Sequence, residues 1–168
     1  MEPIIFIYSH DNIFASVKQE ASHLAERKFA ENGDSLFEML VFDEEYLIKF
    51  REVFFEAQAE VTPVLSAYIR DVPIQSEWFE EQDFTQNRDY TITLLMPEDW
   101  NFHLSRPLNS KIKEFMVAYI MYRWLETKLT DISVIYYQRT NTLLEGIKGL
   151  LNKRKKPLRH SYGYWEIS

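Results

Sequence analysis

The run Phe115-Met116-Val117-Ala118-Tyr119-Ile120-Met121-Tyr122 is apolar nearly all the way around a helical projection, and a second helix-period segment starts soon after it at Thr130-Asp131. A helix that is apolar on every side has to lie centrally in a bundle. A short helix–helix connection favours antiparallel neighbours. Together these predict a C-terminal helical hairpin. Asn109 and Ser110 suit the cap of its first helix, which should run to about Lys128. The second helix is expected to turn Ile132, Ile135, Tyr136, Leu143, Ile147, Leu150 and Leu151 toward its partner. The chain has only 4 glycines, and two of them, Gly146 and Gly149, lie inside this helix. Each costs about 1 kcal/mol against alanine, which points to a close helix approach or a bend there.

Two more long helices are expected upstream. Ser9-His10-Asp11-Asn12 offers capping side chains, and Ile13, Phe14, Val17, Ala21, Leu24, Ala25 and Phe29 then recur at helical spacing until Asn32-Gly33. Asp43, Glu44 and Glu45 place carboxylates where the amino end of a helix dipole favours them. The stripe that follows is Tyr46, Leu47, Phe50, Val53, Phe54, Ala57, Val61, Val64, Leu65 and Tyr68. It keeps its phase through Pro63, predicting one kinked helix or two abutting ones ended by Asp71-Val72-Pro73. Ser35 to Phe42 is short and apolar, and its periodicity does not separate a helical turn from extended chain. Residues 72–89 are acidic and polar, with isolated Trp78, Phe79 and Phe84.

Tyr90, Ile92, Leu94 and Met96 alternate with Thr91, Thr93 and Leu95, a period of two closed by Pro97 that reads as a strand. A lone strand leaves its backbone unpaired. Its partner is therefore the Ile4–Tyr8 run, a second copy of the chain, or another protein. The expected fold is mainly α, a bundle of about four long helices with a C-terminal antiparallel hairpin and one or two short β-strands. Residues 1–168 form one domain, with two long helices and the strand in 1–100, and the hairpin and an aromatic tail in 101–168.

With 168 residues and 46% hydrophobic content, the chain can bury a core without staples. It has no cysteine, which removes disulfides, thiolate metal sites and thiol nucleophiles together and fits a cytoplasmic protein. Ile4–Tyr8 is too short for a signal-peptide core, and Glu2 stands where a basic flank is expected. Phe115 to Leu125, the most apolar segment, carries Arg123 and is about half the length of a membrane span. Gly33, Gly146, Gly149 and Gly163 write no Walker or dinucleotide-binding loop. His10, His23, His103 and His160 share no metal-ligand spacing. No Gly-x-Ser-x-Gly elbow frames a serine, and Glu44/Glu45 and Glu80/Glu81 read as solvated charges. The chain reads as a non-enzyme with no catalytic residue, cofactor or metal.

Charge is divided unevenly. Residues 1–100 carry 7 Lys+Arg against 21 Asp+Glu, and residues 101–168 carry 12 against 5, within a net charge of -7. Such poles suit contact between opposite charges, within one molecule or between neighbours. Two differently charged solvated faces are the simpler alternative. The basic end is concentrated in Lys153, Arg154, Lys155, Lys156 and Arg159, followed by Tyr162, Tyr164 and Trp165. These form the candidate interaction surface. Cations bind phosphates and aromatic rings stack on bases. The same residues equally suit a helix C-terminus and packing on protein. With a sequence pI of about 5.2, a protein partner is favoured over nucleic acid. The spacing Arg154-x5-His160 also fits the loose Arg-x4-6-His pattern of the HEPN ribonucleases. That resemblance implies Arg154 on phosphate charge and His160 on a 2′-hydroxyl, although Pro157 stands between them.

From Leu94 to Arg159 the order is a strand ending in Met96-Pro97, an Asp/Asn-rich turn, and a helix with Tyr119-Ile120-Met121-Tyr122-Arg123-Trp124-Leu125. A second helix follows with Tyr136-Tyr137 and closes on Arg154-Lys155-Lys156-Pro157. This arrangement resembles the head–tail connector (neck or adaptor) proteins of tailed-phage and prophage structural modules, over about two-fifths of the chain. The resemblance implies a helical structural subunit that joins itself or other virion proteins, placed in the virion. Residues 1–90 carry no part of it.

Overall fold

The computed structural model describes residues 3–32, 39–70 and 83–156, with backbone alone at 29–32. Strand β1 (Ile4–Tyr8) leads directly into helix α1 (His10–Asn32). Ser9 caps the turn between them: its carbonyl accepts from Ile13 N at 3.0 Å and its hydroxyl from Asn12 N at 3.5 Å. The His10 amide donates instead to the Asp89 carboxylate at 2.8 Å. The local capping cluster is thus completed by a carboxylate from far along the chain, set at the positive end of the helix dipole.

A 3-10 turn at Glu44–Tyr46 opens helix α2 (Leu47–Leu65), which continues through Pro63 as one element. Pro63 falls in the last turn, so its missing N–H removes one bond near an end rather than dividing the helix. Strand β2 (Tyr90–Leu94) pairs antiparallel with β1 in the register Ile4↔Leu94, Phe6↔Ile92, Tyr8↔Tyr90. The N-terminal run is therefore the strand's partner. On the other edge of β2, Arg70 N donates to Thr93 O at 3.0 Å and Leu95 N to Tyr68 O at 2.7 Å, adding the chain that leaves α2. The period of two now has a physical meaning. Phe6, Tyr8, Ile92 and Leu94 are buried, whereas Ile5 and Ile7 are 58% and 65% exposed.

Helix α3 (Ser105–Leu125) and helix α4 (Thr130–Leu151) form the expected hairpin. Helix α3 starts earlier than Asn109 and Ser110 suggested, after a 3-10 turn at Phe102–Leu104 in which the Asn101 side chain accepts from His103 N. Pro107 lies in the first turn, where its absent N–H has no intrahelical partner to lose. Helix α3 packs against α1, α2 and α4, as its all-round apolar centre requires. Phe115, Met116, Ala118, Ile120 and Met121 are buried there. Beside them Phe42 meets Trp124 edge-on at 4.6 Å between ring centroids, and Phe50 stacks on Phe54 at 5.6 Å. Burying each such side chain contributes about 1.5–3 kcal/mol. One expected inward residue of α4 points the other way: Ile135 is 62% exposed. It sits at the margin of the helix's apolar stripe, and α1, the neighbour on that side, packs on α3 instead.

Candidate functional site

Of the expected interaction surface, Lys153, Arg154, Lys155 and Lys156 are placed by the structure; Arg159, Tyr162, Tyr164 and Trp165 lie outside the described residues, as does His160. The placed part is not a free cationic arm. After α4 the chain turns back along residues 98–102, where Trp100 and Arg154 face each other as an antiparallel bridge. Lys155 N donates to Asp99 O at 2.7 Å. Trp100 is fully buried and donates its indole N–H to Leu150 O at 2.9 Å, satisfying one of the terminal carbonyls of α4.

Arg154 spends its guanidinium on Leu151 O at 2.9 Å, the Tyr68 hydroxyl at 3.5 Å and the Asp99 carboxylate at 3.4 Å. Tyr68 first, and Asp99 with it, hold its pKa above the ordinary arginine value. Lys155 Nζ donates to Glu98 O at 3.3 Å and stands 5.7 Å from the centre of the Phe102 ring. Arg154 and Lys155 thus tie the strap to residues 98–102, while all four of Lys153, Arg154, Lys155 and Lys156 are exposed. The charge pattern in the sequence carried no information about the contacts of Arg154 with Asp99 and Tyr68.

The glycine pair also divides. A Cβ on Gly146 would meet Lys111 Cδ at 3.3 Å, so the Lys111 stem lies across that glycine. Among the described residues nothing stands within 4 Å of the same position at Gly149, and they make no close approach there. Gly149 lies about 60° around the helix from Gly146 and one turn nearer its end, at an exposed position.

Sequence periodicity gave no sign of the cluster where α1, α2 and residues 83–89 meet. His10 is 2% exposed and both its ring nitrogens are engaged. Nδ1 lies 2.8 Å from Asp11 Oδ1, and Nε2 accepts from Arg51 Nε at 3.2 Å. Because arginine only donates, the ring hydrogen belongs on Nδ1. Arg51 also donates to Phe84 O and to the Asn87 side chain. Asp83 accepts from the hydroxyl and the amide of Thr85, which hold its carboxyl below the usual aspartate range. A pocket of about 220 Å³ opens beside this cluster, lined by Arg51, Phe54, Phe55, Phe84, Arg88 and Asp89. Through these bonds His10 and Arg51 form a clasp that joins three segments beside the pocket. No group of three His, Asp or Glu suits a metal ion among the described residues.

No family model, curated protein or solved structure matches the chain.

The remaining surface is marked by large apolar side chains left in solvent. On β1 they are Ile5 and Ile7; on the outer face of α2, Ile48 and Phe55; on α4, Val134, Ile135 and Tyr137. A groove runs between α1 and α4 over α3, in two adjoining cavities of about 500 and 370 Å³ that share Glu20 and Arg139. Its floor and one wall are apolar, from Leu24, Val117, Ile132, Ile135 and Tyr136. Its charged lining is Arg27, Lys28, Lys113 and Arg139 against Glu20 and Glu114. Glu20 is already occupied, accepting from the Tyr136 hydroxyl at 2.8 Å and lying 3.8 Å from Arg139. Burial first, then that bond to Glu20, push the Tyr136 phenol up from its ordinary pKa. Sequence reading found the basic end of the chain but missed this basic groove, because its cations come from helices far apart in sequence. No helix among the described residues is long and apolar enough to cross a membrane.

Proposed function

We propose that this chain is a non-catalytic assembly subunit of the head–tail connector kind, which joins further copies of itself or other virion proteins. The observation that carries the reading is the set of exposed apolar side chains in separate patches, on β1, on the outer face of α2 and on α4. Single exposed apolar residues are ordinary on a monomer, but several patches on one small domain suit surfaces that are covered on assembly. The uneven charge of the two parts of the chain and the resemblance of residues 94–159 point the same way. The clasp at His10 and the strap at Arg154 hold distant segments together, which suits a rigid subunit. The ribonuclease reading has less support, because the Arg154 guanidinium is committed to Leu151, Tyr68 and Asp99.

Negative-stain electron microscopy of the concentrated protein at low salt tests the proposal. Head-to-tail contacts generate closed rings or open filaments, and either is the expected image. A field of isolated single subunits at every concentration would overturn the reading.

A further inference from the structure

We infer that His10 is the proton-sensitive member of a latch holding residues 84–87 against α1 and α2, closed while its imidazole is neutral and opened when it takes up a proton. Four side chains form a closed ring of hydrogen bonds. His10 Nδ1 donates to Asp11 Oδ1 at 2.8 Å, and Arg51 Nε donates to His10 Nε2 at 3.2 Å. Arg51 Nη2 donates to Asn87 Oδ1, and Asn87 Nδ2 donates to the same Asp11 oxygen at 3.5 Å. The direction around the ring is fixed, because arginine only donates and a carboxylate only accepts, while Asn87 and His10 each do both. Imidazole is the one group of the four that ionises close to neutrality.

The incoming proton has one place to go. Nδ1 already carries a hydrogen and gives it to Asp11, so the proton must take the Nε2 lone pair that Arg51 uses. An imidazolium there sets N–H against N–H, two cations 3.2 Å apart, on a side chain only 2% exposed. Asp11 favours the charged ring, but it is 80% exposed and solvent weakens its hold. The edge-on Phe50 ring, 5.2 Å away, offers no charge. Asp89 is engaged by the His10 amide, and Asp83 and Arg88 line the adjoining pocket with opposite charges. Arg51 therefore swings away from the charged ring, and its bonds to Phe84 O and Asn87 go with it. Asp89 on the His10 amide and Phe84 against Phe55 remain as ties, which confines the opening to residues 84–87, at the rim of the pocket. The open form holds one proton more than the closed form, so falling pH favours it.

Nuclear magnetic resonance of the whole chain, titrated from about pH 8 to about pH 5, tests the latch, with far-UV circular dichroism confirming that the helices stay intact. The amide signals of Phe84 to Asn87 are expected to shift with the same midpoint as the His10 ring. The cross-peak between the Arg51 and Asn87 side chains should disappear over the same range. His10→Gln puts a carbonyl oxygen near the place of Nε2, where it accepts from Arg51 and cannot ionise. That variant is expected to keep the cross-peak and lose the shift. Arg51→Met removes the donor, and its segment should be open at every pH, again without the shift; it carries the test if His10→Gln does not fold. A His10 ring that titrates while the Arg51–Asn87 cross-peak persists would overturn the inference. So would a shift that survives in either variant, or a ring that stays neutral until the helices unfold.

Discussion

The indole N–H of Trp100 donates to the carbonyl of Leu150 at 2.9 Å, joining the segment before α3 to the last turn of α4 inside the core. Neither partner is near the other in sequence, yet this bond fixes where the hairpin ends and how the basic segment folds back. Trp100→Ala removes a fully buried ring along with the bond and is expected to cost about 3–5 kcal/mol in denaturant unfolding. Lys153→Ala and Lys156→Ala, at exposed positions of the same strap, should stay within about 0.5 kcal/mol of wild type. Equal losses at all three positions would mean that the strap is held by charge rather than by the indole.

Tyr8 is a core residue whose hydroxyl finds no hydrogen-bond partner among the described residues. Folding strips water from that group and returns nothing, a cost of about 1–3 kcal/mol for a buried orphan. Tyr8→Phe keeps the ring against Phe6 and Tyr90 and deletes the orphan. Thermal unfolding should show a variant at least as stable as wild type. A clear drop in melting temperature would show that the hydroxyl is paired in solution.

Glycine exchanges distinguish the two helical positions in α4. Gly149→Ala adds a methyl into open space and removes backbone freedom from the unfolded chain, so a gain of up to about 1 kcal/mol is expected. Gly146→Ala brings the same propensity but must push the Lys111 stem aside by a few tenths of an ångström, and its gain should be smaller. Urea titration of both variants checks the order. The reverse order would place the tight contact at the wrong glycine.

Four phenols respond to alkali in one direction. Burial is the leading cause in each: Tyr8 also faces Tyr90, Tyr119 is pushed up to about 12 with help from Glu56, Tyr136 bonds to Glu20, and Tyr90 is raised by burial alone. Their folded pKa values lie above the unfolded value of 10.0. The stability they contribute is complete below pH 10 and is lost as pH rises through the folded values, because the unfolded chain releases its phenolic protons first. Phenolate absorbance followed together with circular dichroism above pH 10 should show these tyrosines ionising as the helices are lost. Ionisation of all 10 tyrosines with the helical signal intact would contradict their burial.

The parts of the fold that were legible in sequence are those written in local periodicity. Phe115 to Tyr122 announced a central helix, and the short link to Thr130 announced the hairpin. The alternation from Tyr90 to Leu94 announced a strand and kept its partner among three choices. What stayed hidden depends on single contacts between distant residues. Arg51 reaches His10 and Asn87, Asp89 caps α1, and Asp99 takes up Arg154, and none of these pairs has a period to detect. Ile135 shows the limit from the other side. Its spacing matched the buried stripe, but burial at a stripe's margin is decided by whether a neighbouring helix covers it. The groove beneath Ile135 follows from that missing cover.

The most direct measurement is the mass of the wild-type chain by size-exclusion chromatography with light scattering, over a wide concentration range at low and at moderate salt. An assembly subunit held by opposite charges should exceed the 20.2 kDa of one chain, by more at higher concentration and by less as salt screens the contact. A single 20.2 kDa species at every concentration and salt would contradict the account.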